Sequence, residues 1–238
     1  MKVVANNFGT KVNDLIYMVA KGNSFLQEAE MCVTSIQRFG NFKGNLKVFT
    51  NTLDVPTALK PYAVVVPFEL DNWKKGRFAV RDLIVFEQYN RIVYIDTDML
   101  CLNPLDPIFD SCKCGLTVAR ETNTLWKKTK RFISDEKYES VRNETMINSG
   151  FFCISASECY SFLELWDSTH RGSGNPESDQ VILHKLYYEG LLDLHFISES
   201  HFAFPMQKAE LPTAALLHYC GRRRRRMGLM RKKLNQNG

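Results

Sequence analysis

Two carboxylates, Asp96 and Asp98, follow the apolar run Ile92-Val93-Tyr94-Ile95. Four apolar, mostly β-branched residues read as a buried strand, and side chains two apart on a strand share a face. The two acids can therefore converge on one point. Close together they repel unless a cation sits between them, and oxygen donors suit Mg²⁺ or Mn²⁺. In open α/β sheets, ligands bind outside the C-terminal ends of the strands, where these acids fall. An ion held this way keeps positions free for phosphate oxygens. The pair thus points to a metal-assisted site for a phosphate-bearing donor, although Asp-x-Asp alone also arises by chance.

The surrounding sequence supplies elements to position such a site. Leu15 to Ala20 reads as a first buried strand. Leu26, Ala29, Val33 and Ile36 then recur at helical spacing, with Gly40 as the stop. Leu46 to Thr50 and Ala63 to Val66 read as further strands, and 76–88 as a helix with Ala79, Leu83 and Phe86 on one side. Strand and helix alternate, which predicts a mostly parallel sheet of βαβ units. In the second half, Cys114 to Ala119 reads as a strand, followed by a charged stretch from Glu121 to Asn143. That stretch fits either a segment covering the site or a solvated helix and loop. Asn148 to Ile154 is a strand entered through a turn, and Ser155 with Glu158 has capping-box spacing ahead of Phe162, Leu163 and Trp166. Asn175-Pro176 opens another helix, through Tyr188 to a stop near Gly190, and Leu216 to Tyr219 is a last short strand.

The chain has 238 residues, enough for one α/β domain with a large core. Its net charge of +5 is misleading. Residues 222–233 hold eight of the 31 basic residues and no acid, leaving 23 basic against 26 acidic residues elsewhere. The expected organisation is a mildly acidic catalytic domain over 1–221 and a basic tail over 222–238. Arg222 to Arg226 could neutralise phosphates without reading sequence, but no interleaved aromatic platform accompanies them, so a nucleic-acid partner is disfavoured. An anionic membrane surface fits the run better, and a solvated tail fits it best. Seven cysteines, an odd number without paired Cys-x-x-Cys units, argue against zinc and for a reducing compartment. With no secretory pattern at Met1-Lys2-Val3-Val4 and no apolar span of bilayer length, the expected location is cytoplasmic, peripheral to a membrane at most. The Asn143-Glu144-Thr145 sequon is then expected to stay unmodified.

Three later motifs join the aspartate pair: Asn148-Ser149-Gly150, Asp179-Gln180, and His218-Tyr219-Cys220-Gly221-Arg222-Arg223-Arg224. In this order, with Tyr94-Ile95-Asp96-Thr97-Asp98, they resemble the glycogenin-like glycosyltransferases, family 8 of the retaining enzymes. The resemblance covers roughly residues 15 to 224. It implies a single Rossmann-like GT-A domain, α/β, with a mixed, mostly parallel sheet flanked by helices. It further implies a UDP-sugar donor and Mn²⁺, with Mg²⁺ as the substitute. Asp98 and His218 would ligate the ion directly, and Asp96 would add an oxygen near the ribose, with Thr97 between them in the donor-binding set. Alone, His218 would more simply be a neutral histidine within its strand, and Asp179 an acid favoured by a helix N-terminus.

By the same resemblance, Asn148 and Ser149 would bond sugar hydroxyls and Gly150 would leave room for the ring. Asp179 would accept from hydroxyls, and Gln180 would lie near the anomeric carbon. Gly221 would let backbone approach the diphosphate, and Arg224 stands where the family usually has lysine. Arg81 is preferred over Arg77 as the basic residue preceding the aspartate strand; a salt bridge to Asp82 is the plainer alternative. Tyr17 or Phe25 would stack on the base, with Ala20, Lys21 and Asn23 lining the turn. A carbohydrate, lipid-linked or protein hydroxyl all fit as acceptor, including self-modified Tyr138 or Tyr188. Glucose, galactose and related donors are not separated. A nucleic-acid- or membrane-binding protein and a catalytically idle sugar-nucleotide binder are the competing functions.

Overall fold

The computed structural model describes residues 13–66, 76–112, 115–124, 127–131, 133–172, 179–204, 214–220 and 227–228. Its first strand, β1 (Leu15–Ala20), is followed by α1 (Gly22–Phe39) and then β2 (Asn45–Thr50) and β3 (Ala63–Val65). After α2 (Gly76–Ala79) come β4 (Arg91–Ile95), β5 (Met99–Cys101) and α3 (Asp106–Ser111). Next are β6 (Thr117–Thr124), α4 (Asp135–Val141), β7 (Thr145–Ser155), α5 (Ala156–Gly172) and α6 (Asp179–Tyr188). The short strands β8 (His195–Phe196), β9 (Phe202–Ala203) and β10 (Leu216–His218) complete the described elements.

Seven strands form one sheet in the order β3-β2-β1-β4-β7-β6-β8. Four of its six strand pairs are parallel, and β7 alone runs against its neighbours. A second sheet has the order β5-β10-β9, with β5 and β10 antiparallel. The mostly parallel sheet expected from the alternation is present, and it is mixed, as the resemblance implies.

Strand β1 shows why its sequence is apolar at every position. Ile16, Met18 and Ala20 enter the core packed by α1, and Leu15 and Tyr17 enter the opposite core packed by α5 and α6. A strand covered on both faces reads as a continuous apolar run. On α1, Leu26, Ala29, Val33 and Ile36 are all buried, matching the 3.6-residue period. The helix stops at Gly40, where a Cβ would stand 2.7 Å from the Ile36 carbonyl oxygen and 3.2 Å from Cys101 Sγ. Helix α6 ends in a Schellman arrangement around Gly190 (φ +75°), with Leu191 N–H on Leu186 O and Gly190 N–H on Tyr187 O.

The expected 76–88 helix is broken. Only α2 is α-helical, followed by single 3₁₀ turns at Arg81–Leu83 and Phe86–Gln88. Ile84 between them is extended, at φ −103° and ψ 120°. The adjacent β-branched pair Ile84-Val85 favours that conformation and interrupts the helix. Leu83 is consequently exposed while Phe86 is buried. The helix start proposed at Asn175-Pro176 lies outside the described residues; α6 is seen from Asp179 onwards. The Glu121–Asn143 stretch resolves into the end of β6, a 3₁₀ turn at Lys127–Arg131 and α4.

Cys112 and Cys153 form a disulfide, with Cα atoms 5.4 Å apart and a sequence separation of 41. The odd cysteine count and scattered spacing gave no sign of this pair. Met227 is buried in one cluster with Leu100, Leu217 and Tyr219.

Candidate metal and donor site

Strand β4 ends at Ile95, so Asp96 and Asp98 stand on the turn leading into β5 rather than on the strand itself. They still converge, each offering a ligand atom to one point. His218 joins them from β10, where it lies opposite Met99 of β5, and Tyr219 N–H donates to Asp98 O at 2.8 Å. His218 Nε2 lies 3.1 Å from Asp98 Oδ1 and 3.9 Å from Asp96 Oδ2. One ligand atom from each of the three residues falls within 4.8 Å of the others. Backbone pairing between β5 and β10 thus holds together groups 120 residues apart.

Asp98 and His218 are almost fully buried, at 1% and 2% exposure. Burial alone would depress the imidazole, but Asp98, Asp96 and Glu121 outweigh it and raise the His218 pKa above its ordinary value. Gly150 makes the convergence possible. A Cβ there would sit 2.6 Å from Asp96 Oδ2 and 2.7 Å from His218 Cε1. The space that Gly150 leaves, expected to serve the sugar ring, is filled by the ligand side chains themselves.

Arg77, not Arg81, enters this cluster. Its guanidinium donates to Ser149 O, lies 2.9 Å from Asp179 Oδ2 and 3.4 Å from Asp96 Oδ1, and sits 4.7 Å from the Tyr94 ring centroid. Burial opposes its charge, yet Asp179, Tyr94 and Asp96 together raise its pKa above the ordinary arginine value. Burial likewise pushes the Asp179 pKa up, against the opposing pull of Arg77 and the Gln180 N–H. Arg81 instead bonds Asp167 of α5 at 2.9 Å and lies over Tyr160. The break at Ile84-Val85 belongs to the same irregular run, in which the two arginines no longer share one helical face.

Glu121 was read only as the start of a charged stretch, yet it belongs here. Its Oε1 accepts from Asn148 Nδ2 and from Gln180 Nε2, both at 3.0 Å. The β6–β7 register shifts between Val118 and Ala119 and again between Arg120 and Thr124. Such irregularities re-aim side chains beside functional sites. The available signal was an acid in strand alternation, after Thr117 and Ala119. Ser149 contributes its carbonyl to Arg77, and its side chain is buried. Thr97 Oγ1 donates to Glu28 of α1 at 2.9 Å.

A cleft opens beside the cluster, lined by Val19, Lys21, Phe25, Arg77, Tyr94, Asp96 and Thr97. It lies at the C-terminal ends of β1 and β4, where the strand order reverses. No family model matches the sequence, and no curated protein matches it by sequence. Solved structures do match. Mouse xyloside xylosyltransferase 1 in its apo form superposes with a TM-score of 0.61 at 13% identity, covering 87% of this chain and 97% of that one. An active-site glutamine-to-glutamate variant of LgtC gives 0.58 at 14% identity over 87% of both chains. The galactosyltransferase LgtC with donor and acceptor sugar analogues gives 0.57 at 12% identity, over 92% and 95%.

The fold is GT-A. Within the GT-A frame, Asp96, Thr97, Asp98, Asn148, Ser149, Gly150, Asp179, Gln180 and His218 form one neighbourhood. Tyr17 does not join it. It is fully buried among Phe49, Tyr94 and Phe152, because odd positions of β1 point into the α5–α6 core, so it cannot stack on a base. Phe25, one turn into α1, lines the cleft instead. Ala20 is buried in the core and Asn23 is exposed on α1 outside the cleft lining. Gly221 and Arg224 lie outside the described residues. Tyr138 and Tyr188 are buried together with Ile133 and Val141, and the Tyr188 hydroxyl donates to Glu144 Oε2 at 3.1 Å.

Beside the site, His184 of α6 takes the Ile147 N–H on Nε2 at 3.0 Å, and its Nδ1 has no partner among the described residues. Burial lowers its pKa from 6.5 to about 4. The unfolded chain therefore binds this proton first on acidification. The contribution is intact above pH 6.5 and is lost as pH falls towards 4, in total about 3 kcal/mol. Urea unfolding at pH 7, 5 and 4 is expected to show a decline that His184→Gln flattens.

Proposed function

We propose that this chain is a metal-dependent glycosyltransferase that moves a hexose from a UDP-sugar to an acceptor hydroxyl with retention of configuration. One observation carries the reading. Asp96, Asp98 and His218 offer ligand atoms within 4.8 Å of one another, beside a cleft at the sheet's switch point. Two carboxylates and one imidazole suit Mn²⁺, with Mg²⁺ next. The clearance at Gly150 fits this donor set, since any side chain there would displace two of the three ligands. When bound, a divalent ion supplies Lewis-acid stabilisation to the diphosphate oxygens.

The protein groups divide the remaining work. Asp98 and His218 hold the ion, with Asp96 beside them. Phe25 and Lys21 receive the uracil end. Arg77 keeps Asp96 and Asp179 oriented and offsets their charge. Asp179 accepts from sugar hydroxyls, and Gln180 faces the reacting carbon. Gly221 and Arg224 are assigned to the diphosphate. The acceptor hydroxyl attacks the anomeric carbon from the leaving-group face as the sugar–phosphate bond breaks and UDP departs, a phosphate oxygen takes the hydroxyl proton, and no carboxylate is assigned as a covalent nucleophile.

UDP release from UDP-glucose, UDP-galactose and UDP-xylose, with Mn²⁺ or with EDTA, tests this directly. Metal-dependent release from at least one donor is expected. A wild-type protein that neither binds UDP with Mn²⁺ nor releases it from any donor would be no such transferase.

A further inference from the structure

We propose that Glu121 is a positioning residue: it locks the side-chain amides of Asn148 and Gln180 so that Gln180 turns its carbonyl oxygen, not its NH₂, towards the donor sugar. The proposal rests on the transferase reading above. Its basis is a single acceptor atom shared by three elements. Glu121 Oε1 on β6 receives Asn148 Nδ2 from β7 and Gln180 Nε2 from α6, each at 3.0 Å.

An ionised carboxylate only accepts hydrogen bonds, so an amide that reaches it must present nitrogen. That requirement removes the choice between the two amide orientations. Asn148 is then used at both ends, because its Oδ1 also accepts from Gly150 N–H at 3.0 Å. Its bonds to Glu121 and Gly150 leave it one amide hydrogen for a ligand. Gln180 Nε2 gives one of its two hydrogens to Glu121, and its Oε1 makes no hydrogen bond among the described residues. Next to it, Asp179 takes the Gln180 backbone N–H on Oδ1 and faces Arg77 with Oδ2. The side of the site formed by Asp179 and Gln180 therefore offers acceptors, and suits a sugar with free hydroxyls to donate.

Glu121→Gln removes the constraint while keeping the shape, since a neutral amide can both donate and accept. The variant is expected to bind Mn²⁺ and UDP within about twofold of wild type. It should cleave the UDP-sugar about 10–100-fold more slowly through kcat, the usual size of effect for a group that orients a ligand-contacting residue. The side-chain amide ¹⁵N–¹H resonances of Asn148 and Gln180, assigned by single Asn148→Ala and Gln180→Ala variants, should move or split in Glu121→Gln. Unchanged kcat with unchanged amide resonances would overturn the proposal. So would an equal loss of Mn²⁺ affinity, which would put Glu121 in the metal shell. If the wild type cleaves no UDP-sugar, the transferase reading fails, and the amide resonances alone still decide whether Glu121 orients the pair.

Discussion

Asp98→Ala lowers metal-dependent sugar transfer and donor hydrolysis by about a thousandfold or more while the chain stays folded. Loss of one preorganised electrostatic group commonly costs about 10²–10³ in rate, and a metal ligand is the larger case. Asp98 is the more buried of the two acids and the one in contact with His218 Nε2. Its removal leaves Asp96, a quarter exposed, and an imidazole without its nearest carboxylate. The fold survives because β5 and β10 are held by backbone pairing, including Tyr219 N–H on Asp98 O, which alanine retains. Mn²⁺ titration, UDP release and circular dichroism check the three parts. Full Mn²⁺-dependent activity in this variant would place the metal elsewhere.

Arg77→Ala is expected to cost about 3–5 kcal/mol of stability, as breaking one side of a buried ion pair does. Asp179 would be left in a site that already raises its pKa through burial. A carboxyl with a raised native pKa binds its proton more readily folded than unfolded. The deficit is therefore smallest below the unfolded pKa and grows as pH rises through the native one. Arg77→Ala should also lose donor use, because Asp96, Ser149 and Asp179 all lean on that guanidinium. Arg81→Ala should change donor use less than about twofold, since Arg81 serves Asp167 and Tyr160 on α5. Urea unfolding at pH 7 and pH 4, with UDP-sugar turnover for both variants, separates the arginines. Equal turnover losses would contradict the placement.

The contrast between the two arginines shows where the sequence was readable. The continuous apolar run of β1 and the period of α1 reported burial, which is a local property of each element. Asp98 and His218 were legible because their chemistry is sparse and their order along the chain is informative. Arg77 was missed because its identification required the exact path of a short segment whose α-helix ends at Ala79, before Arg81. Glu121 was missed because β6 and β7 lose register around it, and strand pairing cannot be read from one strand's residues. Tyr17 was misplaced by one face: its neighbours on β1 also suit burial, so nothing in the sequence said which side held the cleft. Cys112 and Cys153 carried no spacing signal, since α3 and β7 meet only through the tertiary fold.

The single reversed strand has a last consequence. Because β7 runs against β4, it delivers its beginning, not its end, to the rim where the parallel strands finish. Of the two connections that flank it, the one arriving from α4 lies on the rim side of Asn148 to Gly150, and the one departing to α5 lies on the opposite side. Changes of length or chemistry in the arriving connection therefore fall on the same side of the sheet as Asp96 and Gly150. Equivalent changes in the departing connection fall at the opposite end of the strand.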